Sequence, residues 1–97
     1  MIRAGWHPLA RRELFEDSDF YEREVAGLGD AFLTQVEKAV DQIRRYPHSG
    51  PTILGATRRC RVSRFPYNLV YRIDPERIYI LALAHHKRRP YYWARRT

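Results

Sequence analysis

The sequence predicts one α+β domain over residues 1–97, in which an N-terminal strand and a helical hairpin pack on a mainly antiparallel β-sheet. Up to about residue 45 the apolar residues follow helical spacing, and from residue 58 onward they follow the two-residue spacing of strands. Ninety-seven residues suffice for one domain with a modest core. The longest apolar run, residues 78–84, is too short to span a membrane.

The N-terminal half predicts a short strand over residues 2–6, followed by two helices. His7-Pro8 begins the first helix, because proline is favoured at the first helical position, where its missing N–H costs nothing. Leu14 and its helically spaced apolar neighbours define the buried stripe. The N-terminus lacks the apolar core of a signal peptide, and we therefore expect a cytoplasmic protein without membrane contact.

The segment GLGD, residues 27–30, predicts a tight turn between the two helices, because Gly27 and Gly29 interrupt the helical pattern. Asp30 is the expected N-cap of the second helix. Pro47 ends that helix, since the residue before proline avoids helical backbone angles. Two helices joined so tightly share one apolar face and form a hairpin.

Residues 48–57 contain two glycines and one proline and predict a loop. Three strands follow, over residues 58–64, 67–74 and 78–84, and short connections make them an antiparallel meander. The last strand is apolar on both faces, so both must be covered. The hairpin covers one face; the other is covered either by a bound partner or by residues 91–93. The expected core is Leu14, Val25, Phe32, Val36, Ile43, Leu69, Tyr71, Ile80 and Leu83.

Positive charge is concentrated in the C-terminal part of the chain. Residues 58–97 carry 11 Lys or Arg and 2 acids, a formal +9, whereas residues 1–57 carry 7 and 9, a formal −2, and these sum to +7. Aromatic rings are interleaved with these charges. Guanidinium groups fit phosphates bidentately, and rings stack on unpaired bases. The pattern indicates a polyanion-binding face, a surface for an acidic protein, or a solvated basic edge.

The sequence shows neither the residue spacing of a metal site nor a Ser-His-Asp or Cys-His arrangement for nucleophilic catalysis. We therefore expect no metal and no cofactor. His85 and His86 are adjacent at a strand end and point to opposite faces. No cysteine or carboxylate cluster has ligand spacing. Cys60 lies between two arginines that would lower the pKa of its thiol, but its alternation with Val62 favours a place in the core.

The segment HHKRRPYYWARR, residues 85–96, is the strongest candidate for chemistry, because it follows a buried strand that fixes its start. Histidine can transfer protons near neutral pH, Lys and Arg can stabilise a developing phosphate charge, and rings can hold a base. These are the parts of a metal-free ribonuclease, in which the 2′-hydroxyl of the RNA attacks the adjacent phosphate. The alternative is that residues 90–93 only pack on the sheet.

Three motifs occur in order: GLGxxF at residues 27–32, FPYxLVYRI at residues 65–73 and HxRRPxYW at residues 86–93. Together they resemble the RelE/ParE superfamily of bacterial type II toxin–antitoxin toxins, over almost the whole chain. The resemblance implies a RelE/ParE-like fold with a basic C-terminal tail. It also implies a cognate antitoxin as partner, which wraps the toxin and blocks its activity.

Two targets are implied by the resemblance. RelE-like members cut mRNA in the ribosomal A site, and ParE-like members inhibit DNA gyrase without a known nuclease centre. We expect a growth-arresting toxin that acts on the ribosome and mRNA as an endoribonuclease, with gyrase inhibition as the alternative. The expected catalytic residues are Arg61, His85, Arg88 and Tyr91, with His86 as the alternative to His85 for proton transfer, and the expected target-binding residues are Arg59, Arg72, Lys87, Arg89 and Tyr92.

Overall fold

A computed structural model describes residues 2–97. The elements are β1 (Arg3–Trp6), α1 (Pro8–Glu24), α2 (Leu28–Arg45), a 3₁₀ turn (Pro47–Ser49), β2 (Thr52–Leu54), β3 (Thr57–Arg61), β4 (Tyr67–Ile73) and β5 (Arg77–His85). The five strands form one sheet in the order β1-β5-β4-β3-β2. β1 runs parallel to β5, and the other neighbouring pairs are antiparallel. The predicted α+β class with a helical hairpin is confirmed.

The predicted loop over residues 48–57 was partly wrong, because it holds the 3₁₀ turn and the edge strand β2. β2 is short and its pairing with β3 is irregular between Thr52 and Leu54. Gly55 has φ 57°, a left-handed angle that lets the chain reverse between β2 and β3. The glycines and the proline therefore predicted the turns correctly, but the three-residue strand β2 between them was missed.

α1 begins at Pro8, as the sequence predicted, and His7 caps its N-terminus. Pro8 occupies the first turn, and the Nδ1 atom of His7 accepts a hydrogen bond from the backbone N–H of Leu9 at 3.0 Å. The backbone N–H of His7 donates to the Ile80 carbonyl at 2.8 Å. The start of the helix is thereby fixed to the end of the β1–β5 ladder.

The turn between the helices depends on both glycines, but its cap differs from the prediction. Gly27 has φ 87°, and a Cβ on Gly29 would lie 2.6 Å from the carbonyl oxygen of Ser18 on α1. The carboxylate of Glu22 accepts the N–H groups of Gly27 at 2.8 Å and Gly29 at 3.0 Å. Glu22, and not Asp30, therefore caps α2, because the left-handed Gly27 directs these donors back toward α1.

The main core lies between the hairpin and the first face of the sheet. Phe32, Val36, Ile43, Leu69, Tyr71, Ile80 and Leu83 are buried there as predicted, and Leu14 is partly buried against them. Val25 was predicted wrongly: it is 58% exposed, because α1 ends at Glu24 and Val25 adopts an extended conformation. Cys60 is also part of this core. Burial raises the pKa of its thiol, contrary to the lowering expected from its arginine neighbours.

The second face of the sheet is covered by the C-terminal tail, which we define as residues 86–97. Trp93 is 4% exposed and packs in a small cluster with Val70, Leu81 and Ala82. The sequence allowed either a bound partner or residues 91–93 to cover this face, and the structure shows that the tail covers it. The bare sheet face is therefore no longer an argument for a bound partner. No helix in the described part of the chain is long and apolar enough to cross a membrane.

Candidate functional site

A groove of about 720 Å³, which we call the basic groove, lies between the second face of the sheet and the tail. The strands form its floor and the tail forms its wall. It is lined by Pro51, Ile53, Arg59, Arg61, Asn68, Val70, Ala84, His85, His86, Arg88, Arg89, Pro90, Tyr91, Tyr92 and Trp93. Among these described residues, all the charged side chains that line the groove are arginines. Two histidines line it as well.

Seven of the nine residues predicted for the site border this groove: Arg59, Arg61, His85, Arg88, Arg89, Tyr91 and Tyr92. Arg59 pairs with Val70 and Arg61 pairs with Asn68 in the β3–β4 ladder. Because alternate strand residues share a face, both arginines point from the floor toward the tail. The strand and tail arginines, far apart in the sequence, are therefore brought together.

Arg72 and Lys87 do not line the groove. Arg72 lies opposite Tyr79 at the other end of β4, where its guanidinium bonds Asp74 at 2.9 Å and stands 4.8 Å from the Tyr79 ring centroid. It also donates to the Thr97 carbonyl oxygen at 3.2 Å, which fixes the end of the tail. Lys87 is exposed, and its backbone N–H donates to Nδ1 of His85 at 3.0 Å.

His85 borders the groove, but its imidazole lies on the hairpin side of the sheet. It is paired with Tyr67, and their rings meet edge to face at 4.9 Å and 84°. Tyr67 belongs to the main core. The pKa of the nearby Asp17 is raised by burial, against the hydrogen bond from the Tyr67 hydroxyl and the charge of His85. His85 is therefore separated by the sheet from Arg59 and Arg61.

Tyr92 is held by residues that the sequence did not single out. Its hydroxyl donates to Oε2 of Glu13 at 2.7 Å, and Arg96 bonds the same carboxylate at 2.9 and 3.0 Å. Burial, followed by the Glu13 carboxylate, raises the pKa of Tyr92. Burial would lower the pKa of Arg96, but the hydrogen bonds and charge of Glu13 outweigh it and raise the pKa. In the sequence Glu13 is one of several acids of α1, and no local pattern distinguishes it from the others.

The groove can bind an anionic or aromatic surface. Arg88 lies with its guanidinium carbon 3.8 Å from the Tyr92 ring centroid, and its guanidinium also lies 3.8 Å from the Glu13 carboxylate, so both contacts direct this half-exposed side chain. Tyr91 is 52% exposed, and its backbone has φ 58°, an angle that is uncommon for residues other than glycine. Within residues 2–97, no three His, Cys, Asp or Glu side chains are grouped to hold a metal ion.

A helical hairpin on one face of a five-stranded mixed sheet, with a basic tail folded over the other face, is the architecture that the resemblance to RelE/ParE toxins predicted. The family model described as "ParE toxin of type II toxin-antitoxin system, parDE" matches residues 5–90. The chain therefore belongs to the ParE toxin family. As a toxin of a type II system, it has an antitoxin as its partner.

A solved structure titled "Chromosomal ParDE TA system from P. aeruginosa" is similar to this chain. The TM-score is 0.64 at 22% sequence identity, and the match covers 88% of this chain and 96% of that one. This likeness supports the fold. A search of curated proteins finds no match.

Proposed function

We propose that this toxin arrests bacterial growth by binding DNA gyrase, with the basic groove and the tail as its docking surface. Membership of the ParE family favours this target, since ParE-like members inhibit gyrase. The observation that carries the proposal is the position of the proton-transfer groups: the His85 imidazole lies on the far side of the sheet from Arg59 and Arg61. The sequence had favoured mRNA cleavage, with gyrase inhibition as the alternative.

Metal-free RNA cleavage needs a general base within about 3 Å of the attacking hydroxyl, beside the groups that bind the phosphate. Arg61 and Arg88 are suited to the phosphate, but His85 does not face them. Tyr92 is also unsuited, because its hydroxyl already donates to Glu13 at 2.7 Å and its raised pKa opposes ionisation. A docking surface needs only the exposed cations and rings, and these are present.

The alternative, cleavage of mRNA on the ribosome, is favoured by two other side chains. His86 and Tyr91 are exposed and line the groove beside Arg88 and Arg89. A nuclease of this fold would use His86, rather than the predicted His85, as its proton-transfer group. Ribosome binding could bring these residues into line, since catalytic contacts often tighten only in the complex.

Purified toxin should inhibit supercoiling of relaxed plasmid by gyrase and leave mRNA 5′ ends unchanged in a translation extract. Arg61→Ala should raise the inhibitory concentration about 10- to 100-fold, because it removes an arginine from the floor of the groove. Arg45→Ala is the matched control: this exposed arginine on α2 pairs with Asp41 and does not line the groove. New mRNA 5′ ends with unchanged supercoiling would refute the proposal.

A further inference from the structure

Side chains take the place of a neighbouring strand along part of β5. β1 pairs with β5 only from Arg77 to Ile80, so residues 81–83 extend beyond it. The Leu81 carbonyl accepts from the Arg96 guanidinium at 2.9 Å, and the Leu83 N–H donates to Oε1 of Glu13 at 3.1 Å. The tail and one carboxylate of α1 therefore satisfy an edge that would otherwise be open.

The Glu13 carboxylate is the centre of this arrangement. Besides the Leu83 N–H, it accepts the Tyr92 hydroxyl at 2.7 Å and two guanidinium N–H groups of Arg96 at 3.0 and 2.9 Å. The Glu13 side chain is 12% exposed and that of Arg96 is 11% exposed, so water screens the pair little. A single side chain thus joins α1, β5 and the tail, across 79 and 83 residues of sequence.

The same contacts set the wall of the basic groove. Arg88 stacks on Tyr92, and the Tyr92 hydroxyl donates to Glu13. The Arg88 guanidinium also lies 3.8 Å from the Glu13 carboxylate. Tyr91 stands between Tyr92 and Trp93 in the chain and is in edge-to-face contact with the Trp93 ring at 5.9 Å. A change at Glu13 would therefore move Arg88 and Tyr91 without touching the floor of the groove.

We propose that Glu13 is a positioning residue for target recognition, which fixes the tail so that Arg88, Arg89 and Tyr91 face the basic groove. This inference rests on the proposed role of that groove as the docking surface. Glu13 itself is turned away from any target, since its carboxylate is surrounded by Leu83, Tyr92 and Arg96. Its effect on toxicity is transmitted through the tail.

Glu13→Gln tests the inference, because glutamine keeps an acceptor for the Leu83 N–H but loses the charge that binds Arg96. Glu16→Gln is the matched control on the same helix, since Glu16 is 63% exposed and pairs with Arg12 at the surface. Loss of a buried, charge-assisted contact should speed hydrogen exchange in residues 86–97 by about 10- to 100-fold. Exchange in α2 should stay as in the wild type, as expected of a local rather than a global effect.

The functional readouts are the inhibitory concentration for gyrase and growth arrest on induction. For Glu13→Gln we expect the inhibitory concentration to rise in parallel with tail exchange, and for Glu16→Gln no change in either. Tail exchange equal to the wild type would overturn the anchoring role. A loosened tail with undiminished growth arrest would overturn the positioning role.

Two further arms keep the test decisive. If the wild type does not inhibit gyrase, the proposed target fails, and Glu13 is then judged by growth arrest alone. If Glu13→Gln does not fold, Tyr92→Phe replaces it, because this variant removes the hydroxyl contacts to Glu13 at 2.7 Å and to the Leu83 carbonyl at 3.5 Å but keeps the ion pair of Glu13 with Arg96. It should loosen the tail several-fold and weaken toxicity accordingly; wild-type behaviour in both readouts would refute the inference.

Discussion

Replacing Phe32 with alanine tests the packing of the helical hairpin on the sheet. Phe32 is fully buried, and its ring centroid lies 5.1 Å from those of Tyr21 and Phe65 and 4.9 Å from that of Tyr67. It therefore joins α1, α2 and β4 in one aromatic cluster. Alanine would leave a cavity that these large rings cannot collapse to fill.

The expected loss is about 3–5 kcal/mol, the usual cost of deleting a buried phenylalanine ring. A domain of this size has a free energy of unfolding of about 5–15 kcal/mol, so the variant would lose at least about a fifth of its stability and, in a marginal domain, all of it. With a urea dependence of about 1–3 kcal/mol per molar, the unfolding midpoint should fall by about 2 M.

Urea unfolding should be followed by circular dichroism on toxin free of antitoxin, because a bound partner would raise the apparent stability. Phe15→Ala is the control: Phe15 lies on α1 but is 56% exposed, and its loss should cost less than about 0.5 kcal/mol. If Phe32→Ala shifts stability by no more than this control does, the hairpin does not pack on the sheet as described.

Two other changes test the tail and a partly buried acid. Trp93→Ala should cost about 3–5 kcal/mol in urea unfolding, because Trp93 is 4% exposed over Val70, Leu81 and Ala82; a negligible cost would show that the tail does not cover that face. Burial raises the pKa of Asp17 above 3.8, so the folded protein holds this proton more tightly than the unfolded chain, and the stability from this group falls as pH rises from 3.8 through the raised pKa. Asp17→Asn should remove that fall and be no less stable than the wild type near neutral pH; urea midpoints measured across this pH window check it, and an unchanged pH slope would contradict it.

The elements of this chain were predictable where local chemistry fixes them. His7-Pro8 begins α1, and α2 ends just before Pro47. The two-residue period also located the three long strands, because their backbone preferences act within a few residues. The prediction failed at the turn between the helices, where the cap of α2 comes from Glu22 rather than from the adjacent Asp30.

Strand alternation could separate His85 from His86 but could not say which of them faces the basic groove. That depends on the register of β4 and β5, which shifts between Val70 and Tyr71. Tyr71 pairs with Ile80 whereas Val70 pairs with Ala82, and the intervening Leu81 turns to the second face with Ala82. One residue of irregularity of this kind decides the face of every later side chain.

The sequence by itself determined the α+β class, the helical hairpin, most of the core and the resemblance to RelE/ParE toxins, because each follows from local spacing or from short motifs. Tertiary structure alone decided the parallel pairing of β1 with β5, the covering of the second sheet face by Trp93 and the contact of Glu13 with Tyr92 and Arg96. These join residues more than 70 positions apart in the chain, or depend on a register that no local pattern encodes. Only folding brings such residues together, so only the folded chain shows which charges form the groove and which hold it in shape.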